Sequence, residues 1–408
     1  MKLESLKVEN FKSLENIEIE LFKNKNLFYG FNNSGKSNVF KFLDILFKSK
    51  EIRVPIDIGE KDEITQEFTI DPKGFWQGEI YDEPFLFTNN DRSKTINFEV
   101  KVSVPNAILE DIGKGALKDN GFVGKDTTNI LLKGRMISEN VSTSILELSE
   151  ATCNDLVFYT YADQIESFFP ELKEKGKLDR ATAESILGLL NNCVLYIGTD
   201  RNFRKELFDT LQGQLGPENF KNWLFDLNID SDKNELFLEL TTFLQSFDFS
   251  ENSKKSLGFS LGSFPFGKSI EIGFTKFENE VEIMLRNDNG RFPLANYGTG
   301  IQQFFYLMTL IFWSKRRIVI IEELELNLSP LYQEEILRFI TGLMNSSFFD
   351  QLLFSTHSPY FTQKNNFMVD AIHLVQILDK GTEVWSYDDP KERYDEDGGE
   401  SLFSLLYS

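Results

Sequence analysis

Residues 30–37 are the first segment whose types and spacing could do chemistry. Their order is Gly30, Phe31, Asn32, Asn33, Ser34, Gly35, Lys36 and Ser37, which fits the pattern G-x-x-x-x-G-K-S/T. In that pattern the glycines let backbone N–H groups point at phosphate oxygens, the lysine neutralises the β- and γ-phosphates, and the hydroxyl binds Mg²⁺. An ordinary glycine turn before a helix is the alternative. A predicted strand before the loop and an amphipathic helix after it favour nucleotide binding, with ATP and Mg²⁺ as the predicted ligands.

Two adjacent carboxylates follow an apolar run later in the chain. Residues 317–321 read Arg-Ile-Val-Ile-Ile and predict a buried strand, after which come Glu322 and Glu323. A carboxylate at such a strand end can hold the Mg²⁺ of a bound nucleotide, and its neighbour can polarise the attacking water. Glu322 is therefore the candidate metal ligand and Glu323 the candidate general base. The alternative is a strand that ends in a solvated acidic loop.

A second glycine-rich turn precedes another apolar helix. Residues 297–303 read Tyr-Gly-Thr-Gly-Ile-Gln-Gln, and the candidate binding residues among them are Gly298, Thr299, Gly300 and Gln302. Glycines and a hydroxyl at a helix N-terminus can bind an anion. The alternative is a glycine turn that joins a hairpin to a core helix.

One of the two histidines lies directly after a predicted strand. His357 belongs to the run Ser-Thr-His-Ser-Pro, which follows the apolar strand that ends at Phe354. An imidazole there can reach a γ-phosphate and the attacking water, so His357 is a candidate catalytic residue, with a purely structural histidine as the alternative. Arg201 closes the run 195–201 and is a candidate phosphate contact, with a surface salt bridge as the alternative.

Strands and helices alternate in the positions that these motifs need. Alternating apolar residues predict strands in 3–8, 17–21, 26–29 and 96–104, and a helical stripe predicts a helix from Val39 to Phe47, directly after the phosphate loop. The stretch 105–190 is predicted to be mostly helical. Further strands are predicted at 194–197, 270–274, 281–285, 317–321, 351–354 and 371–378. The predicted fold class is α/β with a helical insertion.

The composition is that of a folded protein without disulfide or membrane-spanning segments. The 408 residues are 41% hydrophobic and 26% charged, as in a folded chain, and the two cysteines predict neither a disulfide framework nor a zinc site built on cysteine pairs. Because no apolar run approaches the ~20 residues of a membrane span, the predicted location is the cytoplasm. The net charge of −21 argues against a surface that attracts nucleic acid throughout.

The acidic segment carries a resemblance to a known group. Residues 321–330 read Ile-Glu-Glu-Leu-Glu-Leu-Asn-Leu-Ser-Pro and resemble the Walker B and D-loop segment of ABC-type ATPases in the RecF, SMC and OLD group. The positions that match are Glu323, Glu325, Leu328 and Pro330. The positions that depart from the group are Glu322 for an aspartate, Leu324 for a proline, and Asn327 and Ser329 for histidines. The turn at 297–303 is similar to the group's signature segment, and the run around His357 is similar to its switch-histidine loop.

The resemblance covers residues 1–50 and about 280–375, and it implies an ABC-ATPase head with a mixed β-sheet core and an N-terminal antiparallel β subdomain. Residues 1–104 would then be the N-terminal part of the head with the phosphate loop, 105–190 the insertion, and 191–408 the C-terminal part. In this group the signature segment closes over the ATP bound by the opposite subunit. A homo-oligomer, at least a dimer, is therefore expected.

The layout also bears on function. About fifty residues follow His357, too few for a C-terminal nuclease domain of about 100 residues, and no heptad pattern predicts a long coiled coil. The chain resembles stand-alone heads of the group, such as the PtuA and AriA families, which serve antiphage defence beside a partner effector. The implied function is an ATPase that controls a nuclease or toxin encoded nearby.

Other functions stay open. An ATP-gated scaffold that sequesters an effector without hydrolysis is kept open by Glu322, whose side chain is one methylene longer than the usual aspartate. A DNA-repair ATPase of the RecF kind is disfavoured by the net charge, and a transporter ATPase by the degenerate signature. Phosphate release separates the scaffold from the enzyme, and stimulation by DNA would favour the repair ATPase.

Overall fold

The chain forms two compact units. The computed structural model describes residues 1–20, 22–47, 78–81, 85–113, 126–138, 143–154, 156–160, 186, 188–190, 193–199, 217–231, 234–246, 271–277, 280–287, 290–314, 318–328, 330–358, 369–378 and 381–387. The N-terminal unit comprises Met1–Val194 and Val369–Ser408, and the central unit comprises Leu195–Met368. The chain thus leaves the N-terminal unit and returns to it.

The N-terminal unit contains a large antiparallel sheet. Its strands are β1 Lys2–Phe11, β2 Leu14–Ile19, β4 Gly78–Tyr81, β5 Ile96–Pro105, β6 Thr127–Ser138, β7 Thr143–Cys153 and β8 Leu156–Thr160. The order is β2-β1-β5-β6-β7-β4, with β8 also beside β7, and every pairing is antiparallel. Along β5 the apolar side chains alternate with more exposed ones, so that one face of the strand is buried.

The same unit holds the strands and the helix around the phosphate loop. Strand β3 spans Lys25–Tyr29, β15 spans Ala371–Leu378 and β16 spans Gly381–Tyr387; β15 pairs parallel with β3 and antiparallel with β16. Helix α1 spans Lys36–Phe47 and α2 spans Asn106–Gly113, and a 3₁₀ turn spans Thr88–Asn90.

Helix α1 is fixed by aromatic contacts on two sides. Phe42 packs edge-on against Phe11 of β1 and Phe98 of β5, with ring centroids 5.2 Å and 5.7 Å away. Phe40 packs edge-on against Phe28 of β3 at 4.9 Å. Such edge-to-face pairs add to the free energy gained by burying the rings. The helix that follows the phosphate loop is therefore tied to both sets of strands in its unit.

The central unit combines helices with two small groups of strands. Its elements are β9 Val194–Ile197, which begins at the unit boundary, α3 Pro217–Ile229, α4 Asn234–Ser246, β10 Glu271–Phe277, β11 Glu280–Asn287, β12 Gly290–Pro293, a 3₁₀ turn Leu294–Asn296, α5 Thr299–Ser314, β13 Ile318–Ile321, α6 Pro330–Asn345 and β14 Gln351–Thr356. Strands β10, β11 and β12 form an antiparallel meander, whereas β13 pairs parallel with β14 and has β9 on its other side. Of the helices in the described ranges, none combines the length and the apolar character that crossing a membrane requires.

The predicted α/β class is confirmed, and one part of the prediction is wrong. The stretch 105–190 was predicted to be mostly helical, but its described residues 127–138, 143–153 and 156–160 are strands. Strand β6 reads Thr-Thr-Asn-Ile-Leu-Leu-Lys-Gly-Arg-Met-Ile-Ser and is buried at alternate positions, which is the period of a strand. Its leucine, lysine, arginine and methionine have high helix propensity, but pairing with β5 and β7 overrides that weak preference.

The second histidine, His373, has a structural role. It lies in β15 and is fully buried, stacked on Phe28 at a centroid distance of 4.5 Å. Its Nδ1 is 2.7 Å from Ser386 Oγ, and its Nε2 is 3.3 Å from Asn26 Oδ1. Burial lowers the pKa of His373 from the ordinary 6.5 to about 3, because the charged imidazolium loses its hydration. The imidazole is therefore neutral in the folded protein at neutral pH.

We expect the neutral state of His373 to make folding pH-dependent. Between pH 6.5 and about 3 the unfolded chain binds a proton at this imidazole that the folded chain does not. The free energy of unfolding therefore falls as the pH falls below about 6.5, by up to about 1.4 kcal/mol per pH unit from this group. Urea unfolding at pH 7.5, 6.5 and 5.5 measures the slope. His373→Gln should flatten the slope relative to the unaltered protein, and equal slopes in the two proteins would refute the assignment.

Candidate functional site

The phosphate loop connects β3 to α1 and needs both of its glycines. Gly35 has a φ of +105°, which glycine adopts without strain, and a Cβ on it would overlap the Thr382 side chain. A Cβ on Gly30 would overlap the carbonyl oxygen of Val375 in β15. Asn33, at φ 65°, is also left-handed, a conformation that asparagine tolerates better than most residues. The close approach of β15 and β16 thus explains why the glycines stand at these positions.

Lys36 lies inside the curve of this loop. Its side chain is buried, and Nζ donates hydrogen bonds to the carbonyl oxygens of Gly30 at 2.8 Å and Phe31 at 2.9 Å. A third contact joins Nζ to Ser34 Oγ at 3.5 Å. The loop's own oxygens therefore hold the ammonium at the concave side, where the motif requires it for phosphate binding. Ser37, the candidate Mg²⁺ ligand, is exposed in the first turn of α1.

A hydrogen-bond chain that was not predicted from the sequence supports the phosphate loop. Thr382 Oγ1 donates to the Ser34 carbonyl at 3.1 Å and lies 2.7 Å from Ser13 Oγ. Asn38 Nδ2 in α1 donates to Ser13 Oγ at 2.8 Å, and the Thr382 amide donates to the Ser13 carbonyl at 2.9 Å. Thr382 is buried, so this chain fixes the loop, the start of α1 and β16 together. In the sequence, the strand-like composition of residues 381–387 could have indicated strand β16.

The two predicted carboxylates follow β13 in the central unit. Glu322 is 5% exposed, and its amide donates to the Ile197 carbonyl of β9 at 2.9 Å. Glu323 has a φ of 44°, and its amide donates to Ser355 Oγ at 2.9 Å. A left-handed glutamate costs of order 1 kcal/mol, and such strain persists where neighbours fix the backbone. The hydroxyl of Ser355 is one such neighbour, a role that was not predicted from the sequence.

His357 lies beside Glu323 because their strands are adjacent. Strands β13 and β14 run parallel with Ile321 opposite Phe354, so the residues that follow each strand meet at one edge. The imidazole Nε2 of His357 is 3.6 Å from Oε1 of Glu323, and both side chains are about one-third exposed. The His357 amide also donates to Glu325 Oε1 at 2.5 Å, which ties the two loops together. A carboxylate and an imidazole with solvent access are a suitable pair to position and deprotonate a water.

The second glycine-rich turn begins α5 and contacts the acidic segment. Gly298 and Thr299 are exposed, and the Gly298 carbonyl accepts the amide of Ile301 at 2.9 Å. A Cβ on Gly300 would lie 2.8 Å from the Asn327 carbonyl, so a side chain there would push the turn away from the segment. Residues 298–300 thus combine an exposed helix N-terminus with close packing on the carboxylate loop.

The side chain of Gln302 contacts the backbone of its own turn. Its Nε2 donates to the carbonyl oxygens of Tyr297 at 2.8 Å and Ala295 at 3.3 Å, so in this conformation the amide holds the turn. Arg201 lies outside the described residues. In the part of the chain that the structure describes, no group of three or more His, Cys, Asp or Glu side chains could hold a metal ion.

The structure thus gathers the predicted residues into two sets. The phosphate loop lies in the N-terminal unit, and the carboxylates, His357 and the second glycine turn lie in the central unit. Within each set the side chains are held by hydrogen bonds and close packing.

Comparison with known proteins gives the family and one relative. Residues 1–362 match a family model described as "AAA ATPase domain". An uncharacterized protein of Methanocaldococcus jannaschii is 20% identical over 230 residues, which are 54% of this chain and 27% of that relative. The chain therefore spans about a quarter of the length of that relative.

Solved structures of SMC heads are also similar. The SMC head domain from Thermotoga maritima has a TM-score of 0.42 and 12% identity, over 95% of this chain and 100% of that one. An SMC head with an extended coiled coil bound to the C-terminal domain of ScpA, derived from Pyrococcus furiosus, has a TM-score of 0.48 and 11% identity, over 100% and 99%. Since the family model covers most of the residues, the chain belongs to the AAA ATPase domain family and is a P-loop ATPase by family.

Proposed function

We propose that the protein hydrolyses ATP with Mg²⁺, and that it works as an oligomer whose nucleotide state controls a partner protein. The observation that carries hydrolysis is the pair of Glu323 and His357, 3.6 Å apart after two adjacent parallel strands. A general base beside an imidazole suits activation of water. The family supports ATP as the nucleotide.

Each predicted residue has a role in this proposal. Lys36 binds the β- and γ-phosphates, and Glu323 accepts a proton from the attacking water while His357 orients that water. Ser37 and Glu322 would hold the Mg²⁺, which would neutralise phosphate charge. A hydroxyl and a carboxylate are oxygen donors of the kind that Mg²⁺ prefers, and a carboxylate as buried as Glu322 is stabilised by a cation. Arg201 stays a candidate phosphate contact.

The exposed turn at the start of α5 supports the oligomer. Gly298 and Thr299 present the N-terminus of a 16-residue helix to the surface, where its dipole favours a phosphate. We propose that this turn, with Gly300 and Gln302, binds the γ-phosphate of ATP held by a second copy of the chain. Gln302 would then exchange its bonds to backbone carbonyls for the nucleotide.

The controlled partner is proposed to be an effector, a nuclease or toxin, in antiphage defence in the cytoplasm. This part rests on the resemblance of the motifs to those of ATPase heads that serve antiphage defence beside a partner effector. A non-hydrolysing scaffold is the second candidate, and the specific observation in its favour is Glu322, whose longer side chain changes the reach to a metal. A RecF-like repair ATPase is disfavoured by the net charge of −21.

We expect the purified protein to release phosphate from ATP only when Mg²⁺ is present. Removal of Mg²⁺ by EDTA should lower the rate to background, since the metal neutralises the charge that develops on the phosphates. A steady-state phosphate-release assay, run with and without double-stranded DNA, measures both rates. Background rates in every condition, with ATP binding intact, would favour the scaffold over the enzyme. Strong stimulation by DNA would favour the repair function.

A further inference from the structure

An apolar groove lies in the central unit, lined by residues that play no part in the predicted nucleotide site. Helices α4, α5 and α6 and the turn after α6 border it, and its volume is about 710 Å³. Four phenylalanines form its floor: Phe243, Phe312, Phe339 and Phe348. We call it the aromatic groove. A groove of this volume that opens along helix faces suits side chains of a docking segment.

The floor is a contiguous aromatic surface. The ring of Phe243 lies 4.9 Å from Phe312, 5.5 Å from Phe348 and 5.9 Å from Phe339, measured between centroids. Phe243 and Phe312 are almost completely buried, whereas Phe348 is 38% exposed. The rings thus form a packed base, and Phe348 extends it to the surface. Aromatic side chains of this kind supply much of the binding free energy at protein interfaces.

Phe348 is held at the groove by the end of α6. The Phe348 amide donates to the Leu343 carbonyl at 3.1 Å, and the Ser347 amide donates to the Met344 carbonyl at 2.9 Å. These two bonds form a Schellman motif, in which the left-handed position is usually glycine but here is Ser347, at φ 61°. The chain therefore keeps a strained serine in a turn that fixes an exposed aromatic ring over the groove.

Gly342 keeps the groove open on the α6 side. It lines the groove in the last turns of the helix, and a Cβ built on it would meet nothing within 4 Å. Alanine would fit there and would favour the helix, because glycine in an exposed helix is the poorer helix former by about 1 kcal/mol. Neither backbone strain nor crowding requires this glycine. Its effect is to leave space at the groove surface for another molecule.

The rim of the groove carries an apolar anchor between two carboxylates. Glu235, Leu238 and Glu239 lie on one face of α4, spaced at i, i+3 and i+4, and all three line the groove. Leu238 is 58% exposed. Glu235 lies in the first turn, where the helix dipole also stabilises it. Among the described residues, neither carboxylate forms an ion pair, so both charges are available to a basic partner.

We propose that the aromatic groove docks an amphipathic helix of another protein, whose apolar side chains pack on the four rings and whose lysines or arginines pair with Glu235 and Glu239. Charge complementarity indicates a basic helix as the occupant, because an acidic rim on a chain of net charge −21 attracts a basic segment and repels an acidic one. The inference goes beyond ATP hydrolysis, since it assigns a partner-binding surface to residues outside the nucleotide site.

A pair of designed peptides tests the proposal on the full chain. Each is a helical peptide of about 16 residues, roughly four turns, with leucines at i, i+3, i+4 and i+7. One peptide has lysines beside the leucines and the other has glutamates, and fluorescence anisotropy measures binding of both. We expect the lysine peptide to bind about tenfold or more tightly than the glutamate peptide. Equal binding of the two would overturn the proposal.

Variants of the groove make the test specific. Gly342→Leu places a side chain in the open space and should abolish peptide binding while raising the unfolding temperature, whereas Gly342→Ala should retain most binding. Leu238→Lys should weaken binding about tenfold, and the matched control Ile229→Lys, at a 61% exposed apolar residue outside the groove, should not. If Gly342→Leu binds the lysine peptide as well as the unaltered protein does, the groove is not the binding site. Sedimentation could instead detect a dimer of the chain that Gly342→Leu abolishes. In that case the occupant of the groove is a second copy of the chain, and the proposed partner helix is wrong.

Discussion

Replacing Lys36 with alanine should weaken ATP binding by about 100-fold or more. The ammonium lies in the curve of the phosphate loop, held by the carbonyl oxygens of Gly30 and Phe31 at 2.8 Å and 2.9 Å, so it needs only a short displacement to reach a phosphate there. Hydrogen bonds from a charged donor to a phosphate contribute about 1.5–3 kcal/mol each, and the lysine makes two of them in the proposed complex. Equilibrium titration with a fluorescent ATP analogue in Mg²⁺ measures the loss.

The same helix offers a matched control for this variant. Lys41→Ala removes a lysine of α1 that forms an ion pair with Asp44 at 3.9 Å, outside the phosphate loop. It should bind ATP like the unaltered protein. Thermal unfolding of both variants checks that a change at Lys36 acts on binding, because Lys36 also makes hydrogen bonds that hold the loop itself. ATP affinity unchanged in a folded Lys36→Ala protein would contradict the phosphate-loop assignment.

The parts of the site that the sequence predicts are those built from neighbours in the chain. The phosphate loop, its preceding strand and its following helix lie within about 25 residues, and the glycine pattern with the stripe of α1 is enough to predict all three. The carboxylates and His357 are each predicted from a strand end alone. Their proximity then follows from a single parallel pairing, that of β13 with β14.

What the sequence does not predict depends on distant pairing. Thr382 supports the phosphate loop through Ser13 and Ser34, which lie more than 340 positions earlier in the chain. No local pattern at 381–387 indicates which loop that strand will meet. Strand β6 was mistaken for helix for a related reason, since its alternating burial arises only when β5 and β7 flank it. The aromatic groove likewise collects rings from three helices and a turn.

The missed contacts of Thr382 and the misassigned strand β6 share a physical cause. Helix signals are local, because the hydrogen bonds of a helix join residues four apart, whereas a strand is stabilised by partners at any separation. Strands β6, β7 and β8 of the N-terminal sheet were therefore missed, whereas β1, β2 and β5 of the same sheet were predicted. The loops that carry the candidate site residues were predicted better, because the chemistry expected of them restricts the residue types at each loop, whatever the distant partners are.

Glu323→Gln should reduce ATP turnover by 10²-fold or more while leaving ATP binding nearly unchanged. A general base contributes about 10²–10⁴-fold to such a reaction, and an amide of the same size cannot accept the proton from water. The backbone of residue 323 should stay in place, because its amide is bonded to Ser355 Oγ at 2.9 Å and that contact does not involve the carboxylate. Phosphate release and ATP titration on the same preparation separate chemistry from binding.

If ATP holds two copies together, blocking hydrolysis should also trap the assembly. In size-exclusion chromatography with light scattering, the Glu323→Gln protein should then be an oligomer in the presence of Mg²⁺ and ATP. The double variant with Thr299→Arg, which places a bulky side chain on the exposed turn, should have the same oligomeric state with ATP as without it. Glu271→Gln is the control, since Glu271 is 66% exposed on β10 and pairs with Arg286. Turnover unchanged in Glu323→Gln would remove this residue as the base. Loss of turnover without an oligomer would support Glu323 as the base and contradict the proposal that the exposed turn binds ATP of a second copy. The two assignments concern different residues of the central unit, so one can be wrong while the other is right.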